Sequence, residues 1–196
     1  MKITKYKQND LFRGTRSSFR LNACVGKNGG PYDFLPYATG YFLAGSMLIE
    51  NLKETSNSID ILIYPICYSF RHGIELYLKY FLSIFPKILQ GNESIQYTHK
   101  LIDNWHLTIK FLRKIPRFDE KVFNISQAEK ILKDFIEIDP SGEMFRFPKD
   151  KKGKYYLQET SLINVIVLGK AMKEFEEIIE LWGYAVDDLR DHLGDY

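Results

Sequence analysis

The chain has 196 residues, 45% hydrophobic and 27% charged, a composition that suits one folded domain and excludes an intrinsically disordered protein. Its 27 lysines and arginines face 25 acidic residues, so the whole surface cannot act as a polyanion-binding field. Two cysteines are too few for a zinc cluster or a secreted disulfide scaffold, which favours a reducing, cytoplasmic location.

A basic arm and loop, residues 1–35, opens the chain and has no apolar run typical of a signal peptide. From Lys2 to Lys27 its basic residues outnumber the one acid, Asp10, by about six, in keeping with either a docking surface for a protein partner or a solvated terminus. The seven are Lys2, Lys5, Lys7, Arg13, Arg16, Arg20 and Lys27.

Helical periodicity then recurs five times, and no stretch alternates with a period of two for long enough to form a sheet. The predicted helices span about residues 36–54, 59–85, 98–114, 126–138 and 160–182. We expect Ser58, Thr98 and Ser126 to cap the second, third and fourth helices. Pro65 is expected to kink the second helix or mark its start, and Pro86 to help end it. The prediction is an all-α fold: an antiparallel bundle of four to five helices over residues 36–196.

The segment 140–156, before the last long helix, is a basic loop rich in Pro and Gly, with a short extended pair expected around 145–147 and 155–157. Its cations are Arg146, Lys149, Lys151, Lys152 and Lys154, against Glu143 and Asp150. The tail after Glu174 is acidic and offers a second surface for a protein partner or another subunit. The charges inside 59–85 argue against a membrane span, so no membrane partner is expected.

The second helix sorts into an apolar stripe and a polar face, and the polar face carries Tyr68, Arg71, His72, Glu75 and Lys79. The spacing of four residues permits a charge ladder through Glu75. Two interpretations stay open. The face is either solvated and laced by ion pairs, or a site in which Arg71 holds a phosphate and His72 transfers protons. His99, at the start of the third helix, either ties that helix to the second or joins the site.

The same residues resemble the HEPN superfamily over about residues 36–183. The resemblance rests on Ser69-Phe70-Arg71-His72-Gly73-Ile74-Glu75-Leu76-Tyr77-Leu78-Lys79, on Thr98-His99-Lys100-Leu101 with Trp105, and on Asp139-Pro140-Ser141-Gly142 with Phe145-Arg146-Phe147-Pro148. It implies a helical bundle, usually a homodimer, in prokaryotic toxin–antitoxin or antiviral defence systems. Active members are metal-independent endoribonucleases whose Arg-x(4–6)-His motifs face each other across the dimer.

This chain departs from that motif, because Arg71 and His72 are adjacent and no arginine precedes a histidine at the family spacing within a helix. Two functions stay open: an RNA-cleaving protein with a rearranged site, or a non-catalytic module that binds RNA, nucleotide or a protein. The candidate catalytic residues are Arg71, His72 and His99; Arg146, Lys79 and Lys149 are candidates for binding phosphate or RNA; Glu75 and Tyr68 would orient them. No cofactor or metal is expected, since the sequence has no phosphate loop, dinucleotide fingerprint or HExxH motif.

Overall fold

The computed structural model describes residues 9–26, 33–55, 58–89 and 95–194. The chain divides into two compact units, residues 1–32 and 33–196. In the first unit, a 3-10 turn spans Phe19–Leu21. The Asn22 amide accepts from the Thr15 N–H at 3.0 Å and donates to the Thr15 carbonyl at 2.9 Å. Arg13, Arg16 and Arg20 are exposed, and the four lysines of the basic arm lie outside the described residues.

The described residues of the second unit form five α-helices, which confirms the predicted all-α bundle and the basic loop before its last helix. They are α1 (Phe34–Thr55), α2 (Ile59–Ile88), α3 (Leu101–Leu112), α4 (Ile125–Ile138) and α5 (Val165–Gly194). The described residues contain no β-strand, and the expected extended pair is reduced to one bridge between Lys149 and Tyr155. No helix among them is both long enough and apolar enough to cross a membrane.

Helix α2 lies at the centre and packs against α1, α3 and α5. Two glycines allow α1 and α2 to approach closely as an antiparallel hairpin. A Cβ on Gly45 would lie 2.8 Å from the Phe70 ring, and one on Gly73 would lie 2.5 Å from the Phe42 ring. The core continues through Trp105 and Trp182, whose rings are tilted by 39° with 5.7 Å between centroids, and the Trp182 Nε1–H donates to the Phe123 carbonyl at 2.8 Å. These contacts fix the faces that α2 turns toward its neighbours.

Several helix ends differ from the sequence prediction. Helix α2 runs through Pro65 and Pro86 without ending at either. Pro65 is exposed, as is Ile61 one turn earlier, so water can bond to the carbonyl that the proline leaves without a donor. Helix α5 extends to Gly194 rather than to Trp182, which makes the acidic tail helical through most of its length.

The predicted caps also need correction. Lys100, rather than Thr98, is the N-cap of α3, and Asn124, rather than Ser126, is the N-cap of α4. Ser58 does occupy the N-cap of α2, but it has a φ of 67° and its side chain makes no capping hydrogen bond. None of the three N-cap residues makes a side-chain capping hydrogen bond, so the starts of these helices do not depend on one.

Candidate functional site

The three charged side chains on the polar face of α2 are buried, so the interpretation of them as a solvated, ion-paired face is wrong, whereas Tyr68 and His72 on the same face are half-buried. Arg71 and Glu75 are each 3% exposed and Lys79 is 9% exposed. The start of α3 and the loop after α4 both contribute partners to this face, through His99 and Asp139. Buried charges are costly unless they are paired, and each of these is paired. We call Arg71, Glu75, Lys79 and Asp139, with His99 at the edge, the charge cluster.

Glu75 is the centre of the charge cluster and confirms the predicted ladder. Its Oε2 accepts from Arg71 Nη1 at 3.0 Å, and its Oε1 accepts from Lys79 Nζ at 2.7 Å. Burial alone would raise the pKa of Glu75, but the hydrogen bond and charge of Lys79, the bond from His99 and the charge of Arg71 outweigh it. The pKa of this carboxyl is therefore lowered, and Glu75 is ionised at neutral pH.

Asp139 completes the cluster and was missed as a site residue by sequence reasoning. It ends α4, and its Oδ1 accepts backbone N–H bonds from Gly142, Glu143 and Met144 at 2.7 to 3.2 Å. Its Oδ2 lies 3.6 Å from Arg71 Nε. Burial, together with the charge of Asp139, raises the pKa of the nearby Cys67 thiol to about 12. The loop after α4 thus brings a second buried carboxylate to Arg71.

The loop after α4 also covers the guanidinium of Arg71. Gly142 has a φ of +80°, and a Cβ there would lie 2.8 Å from Arg71 Cζ, so the position needs glycine for both reasons. Three buried atoms of this pair, Arg71 Nε and Nη2 and Asp139 Oδ2, have no hydrogen-bond partner. The structure therefore places Arg71 inside the protein, held between two carboxylates.

His99 brings the cluster to the surface. Its Nδ1 lies 3.0 Å from Glu75 Oε1, while its side chain is 89% exposed. An ionised carboxylate can only accept a hydrogen bond, so Nδ1 carries a proton, and in the neutral form of the ring the lone pair is on Nε2. Asn104 fixes the preceding turn, donating to the Thr98 carbonyl at 2.9 Å. A shallow pocket of about 460 Å³, lined by His99, Pro140 and Ser141 among others, lies beside the ring.

The remaining predicted residues form a second group, on the surface around His72. The His72 ring stacks on Tyr68 at 5.6 Å between centroids and meets the edge of Tyr41 at 4.6 Å. Arg146, from the basic loop, lies 5.7 Å above the Tyr68 ring. Burial lowers the pKa of His72, and the charges of Lys79, Arg71 and Arg146 add to that effect against the opposing charge of Glu75. His72 is therefore neutral at pH 7.

The predicted site residues thus fall into two groups on neighbouring faces of α2. Arg71, Glu75, Lys79 and His99 lie in the charge cluster, whereas Tyr68, His72 and Arg146 lie in the surface group. Lys149 lies farther along the basic loop, with its Nζ 4.1 Å from the centre of the Tyr155 ring. The described residues contain no group of three or more His, Cys, Asp or Glu side chains arranged to hold a metal ion.

Fold and site together define an all-α bundle whose central helix carries a buried charge cluster. Glu75 of this cluster holds the exposed His99 through its Nδ1. Comparison of the chain with protein-family models, with curated proteins and with solved structures found no match.

Proposed function

We propose that this protein acts on RNA as a HEPN-like, metal-independent endoribonuclease of a prokaryotic defence or toxin–antitoxin system. The observation that supports the proposal best is the pair formed by His99 and Glu75. A buried, ionised carboxylate holds Nδ1 of an imidazole that is 89% exposed, which leaves Nε2 available to take a proton from a substrate. The sequence resemblance supplies the substrate class, since it points to RNA.

RNA cleavage without a metal needs two proton transfers and a cation near the phosphate. A base takes the proton of the 2′-hydroxyl, whose oxygen attacks the adjacent phosphorus. The P–O5′ bond breaks, and the leaving oxygen takes a proton from an acid, giving a 2′,3′-cyclic phosphate. In this proposal His99 is the base, water or the protonated fraction of His72 supplies the proton to the leaving oxygen, and Arg146 and Lys149 bind phosphate. Tyr68 orients His72.

Arg71 and Lys79 act in this proposal through Glu75. Both cations bond to the Glu75 carboxylate and both are largely buried, so they keep it ionised and fixed in position. Their role is therefore to position His99 through Glu75. The sequence prediction assigned phosphate binding to Arg71 and to the basic loop. Because Arg71 is buried, the exposed Arg146 of the basic loop takes this role.

The second candidate function is a non-catalytic module that binds RNA, nucleotide or a protein partner. It is favoured by the burial of Arg71, because two carboxylates neutralise the cation that was expected to meet a phosphate. In this case the basic arm or the acidic tail would dock the protein to a larger complex.

A homodimer is part of either proposal. Residues 34–49 of α1 contain no charged side chain, and several of the apolar ones are exposed: Leu35, Tyr37, Leu43 and Met47. A second copy would cover this face, which a charged substitution should disturb.

The test is incubation of purified protein with tRNA and mRNA in EDTA, comparing the wild type with His99→Ala and His72→Ala. His106→Ala is the matched control, because His106 is an exposed histidine on α3 with no part in the cluster. Cleavage that persists in EDTA, is lost in His99→Ala and is kept in His106→Ala supports the nuclease. Absence of cleavage, with RNA binding retained, supports the non-catalytic module.

A further inference from the structure

A groove on the surface near the start of α2 is not used by the proposed proton transfers. It has a volume of about 910 Å³ and lies between the first turns of α2, the basic loop and the segment that leads into α5. Three aromatic side chains line it and are about half exposed: Tyr64 at 47%, Phe147 at 48% and Tyr155 at 56%. An open groove that presents several aromatic side chains is suited to flat ligands.

Cations accompany two of these rings. Lys149 Nζ lies 4.1 Å from the centre of the Tyr155 ring, and Arg146 Cζ lies 5.1 Å from the centre of the Phe147 ring. Rings next to cations at this spacing match a polymer whose flat groups alternate with negative charges. Single-stranded nucleic acid has that chemistry, since its bases stack on aromatic side chains while its phosphates meet Lys and Arg.

A tight turn holds in place the groove residue Tyr155 and, beside the groove, Lys149. The Tyr156 N–H donates to the Pro148 carbonyl at 3.1 Å, and the Asp150 N–H donates to the Lys154 carbonyl at 2.9 Å. The Asp150 side chain accepts two further backbone N–H bonds within the turn. The Tyr156 hydroxyl donates to Glu143 at 2.9 Å. The ring and its cation are thus positioned before any ligand arrives, which lowers the entropy lost on binding.

The positive charge of the loop around the groove favours negatively charged ligands. Segment 140–156 has five basic and two acidic side chains, a balance of about +3, whereas the chain as a whole is nearly neutral. We propose that the groove binds single-stranded RNA, with unpaired bases on Tyr64, Phe147 and Tyr155 and phosphates on Arg146 and Lys149. The proposal rests on the proposed function for the choice of RNA, and it adds three aromatic residues and a requirement for unpaired bases.

The experiment measures fluorescence anisotropy of a labelled single-stranded oligouridine of about 12 nucleotides, in EDTA, across a range of salt concentrations. Tyr155→Leu and Tyr64→Leu remove a ring and keep an apolar side chain, and each should weaken binding about tenfold. Tyr184→Leu is the matched control, since Tyr184 is 70% exposed on α5 and does not line the groove. Arg146→Gln should lower the slope of log affinity against log salt by about one, and Lys110→Gln, on α3, should leave it unchanged.

Binding that all three groove variants leave unchanged, binding of a duplex as tightly as the single strand, or no RNA binding at all would overturn the inference. Capture of an acidic peptide in place of the oligouridine would overturn it too. The outcome separates from that of the proposed function. If RNA binds in the groove but is never cleaved, the nuclease proposal fails and the groove proposal stands. If cleavage depends on His99 and the aromatic variants have no effect, the groove proposal fails and the nuclease proposal stands. Thermal melting of each variant shows whether it is folded.

Discussion

Replacing Glu75 by glutamine tests whether the charge cluster holds the fold and His99 together. The substitution keeps the shape of the side chain but removes the one charge that Arg71, Lys79 and His99 share. Arg71 then has only Asp139 as an anionic partner, at 3.6 Å, and Lys79 is left buried without one. Removing one partner of a buried ion pair typically costs about 3 to 5 kcal/mol. Because glutamine can still accept one hydrogen bond, we expect a loss of about 3 kcal/mol in the free energy of unfolding.

Urea denaturation followed by circular dichroism measures this loss. Glu50→Gln is the matched control, since Glu50 pairs with Lys53 at 2.6 Å on the exposed face of α1 and its side chain is 68% exposed. Exposed pairs contribute about 0 to 1 kcal/mol, so the control should change little. A difference of less than about 1 kcal/mol between the two variants would refute the reasoning.

The pH dependence of stability gives the same claim a second readout. The pKa of Glu75 is lower in the folded protein than in the unfolded chain, so its ionised form stabilises the fold. That contribution is complete above the ordinary glutamate pKa of about 4.3 and is lost as the pH falls through the lower, folded value. Glu75→Gln should therefore flatten the acid branch of the stability curve, whereas Glu50→Gln should leave the branch as steep as in the wild type.

Three further predictions concern the loop, the surface histidine and the α1 face. Gly142→Ala should destabilise the protein by about 1 to 3 kcal/mol more than Gly153→Ala. Both glycines have positive φ, but a Cβ at Gly142 meets the Arg71 guanidinium and one at Gly153 meets nothing within 4 Å. Equal losses of stability would therefore contradict the close packing of the loop after α4 on Arg71. Titration of His72 by NMR should give a pKa below 6.5. Because protonation then favours the unfolded state, His72→Gln should lose less stability than the wild type between about pH 7 and pH 5.5. Light scattering at micromolar concentration should find a dimer that Met47→Lys weakens, and a monomeric wild type would contradict this prediction.

The five helices were predictable because the apolar periodicity of each is long. The ladder through Glu75 was predictable for a similar reason, since residues four apart on a helix are neighbours whatever surrounds them. Whether that face was solvated or buried was not predictable from the sequence of α2. Burial depends on where α3 begins and on the loop after α4, and both are set by tertiary packing.

Asp139 shows the limit of local signals most clearly. In the sequence, Asp139-Pro140 indicates the end of a helix and contributes to the family resemblance, but nothing in its spacing connects Asp139 with Arg71. The available signal was the neighbouring glycine, because an Asx-type turn with Gly142 at positive φ orients the carboxylate toward whatever packs beneath. The aromatic groove was missed for a related reason, since Tyr64 and Tyr155 lie far apart in the chain and the bundle brings them to one groove.

The most direct measurement of the central claim is the single-turnover rate of tRNA cleavage in EDTA by the wild type, His99→Ala and His106→Ala. If the imidazole held by Glu75 transfers the proton, His99→Ala should lower the rate about 100-fold or more, with its melting temperature within a few degrees of the wild type, and His106→Ala should not. A rate in His99→Ala equal to that of the control, or no cleavage by the wild type, would contradict the account.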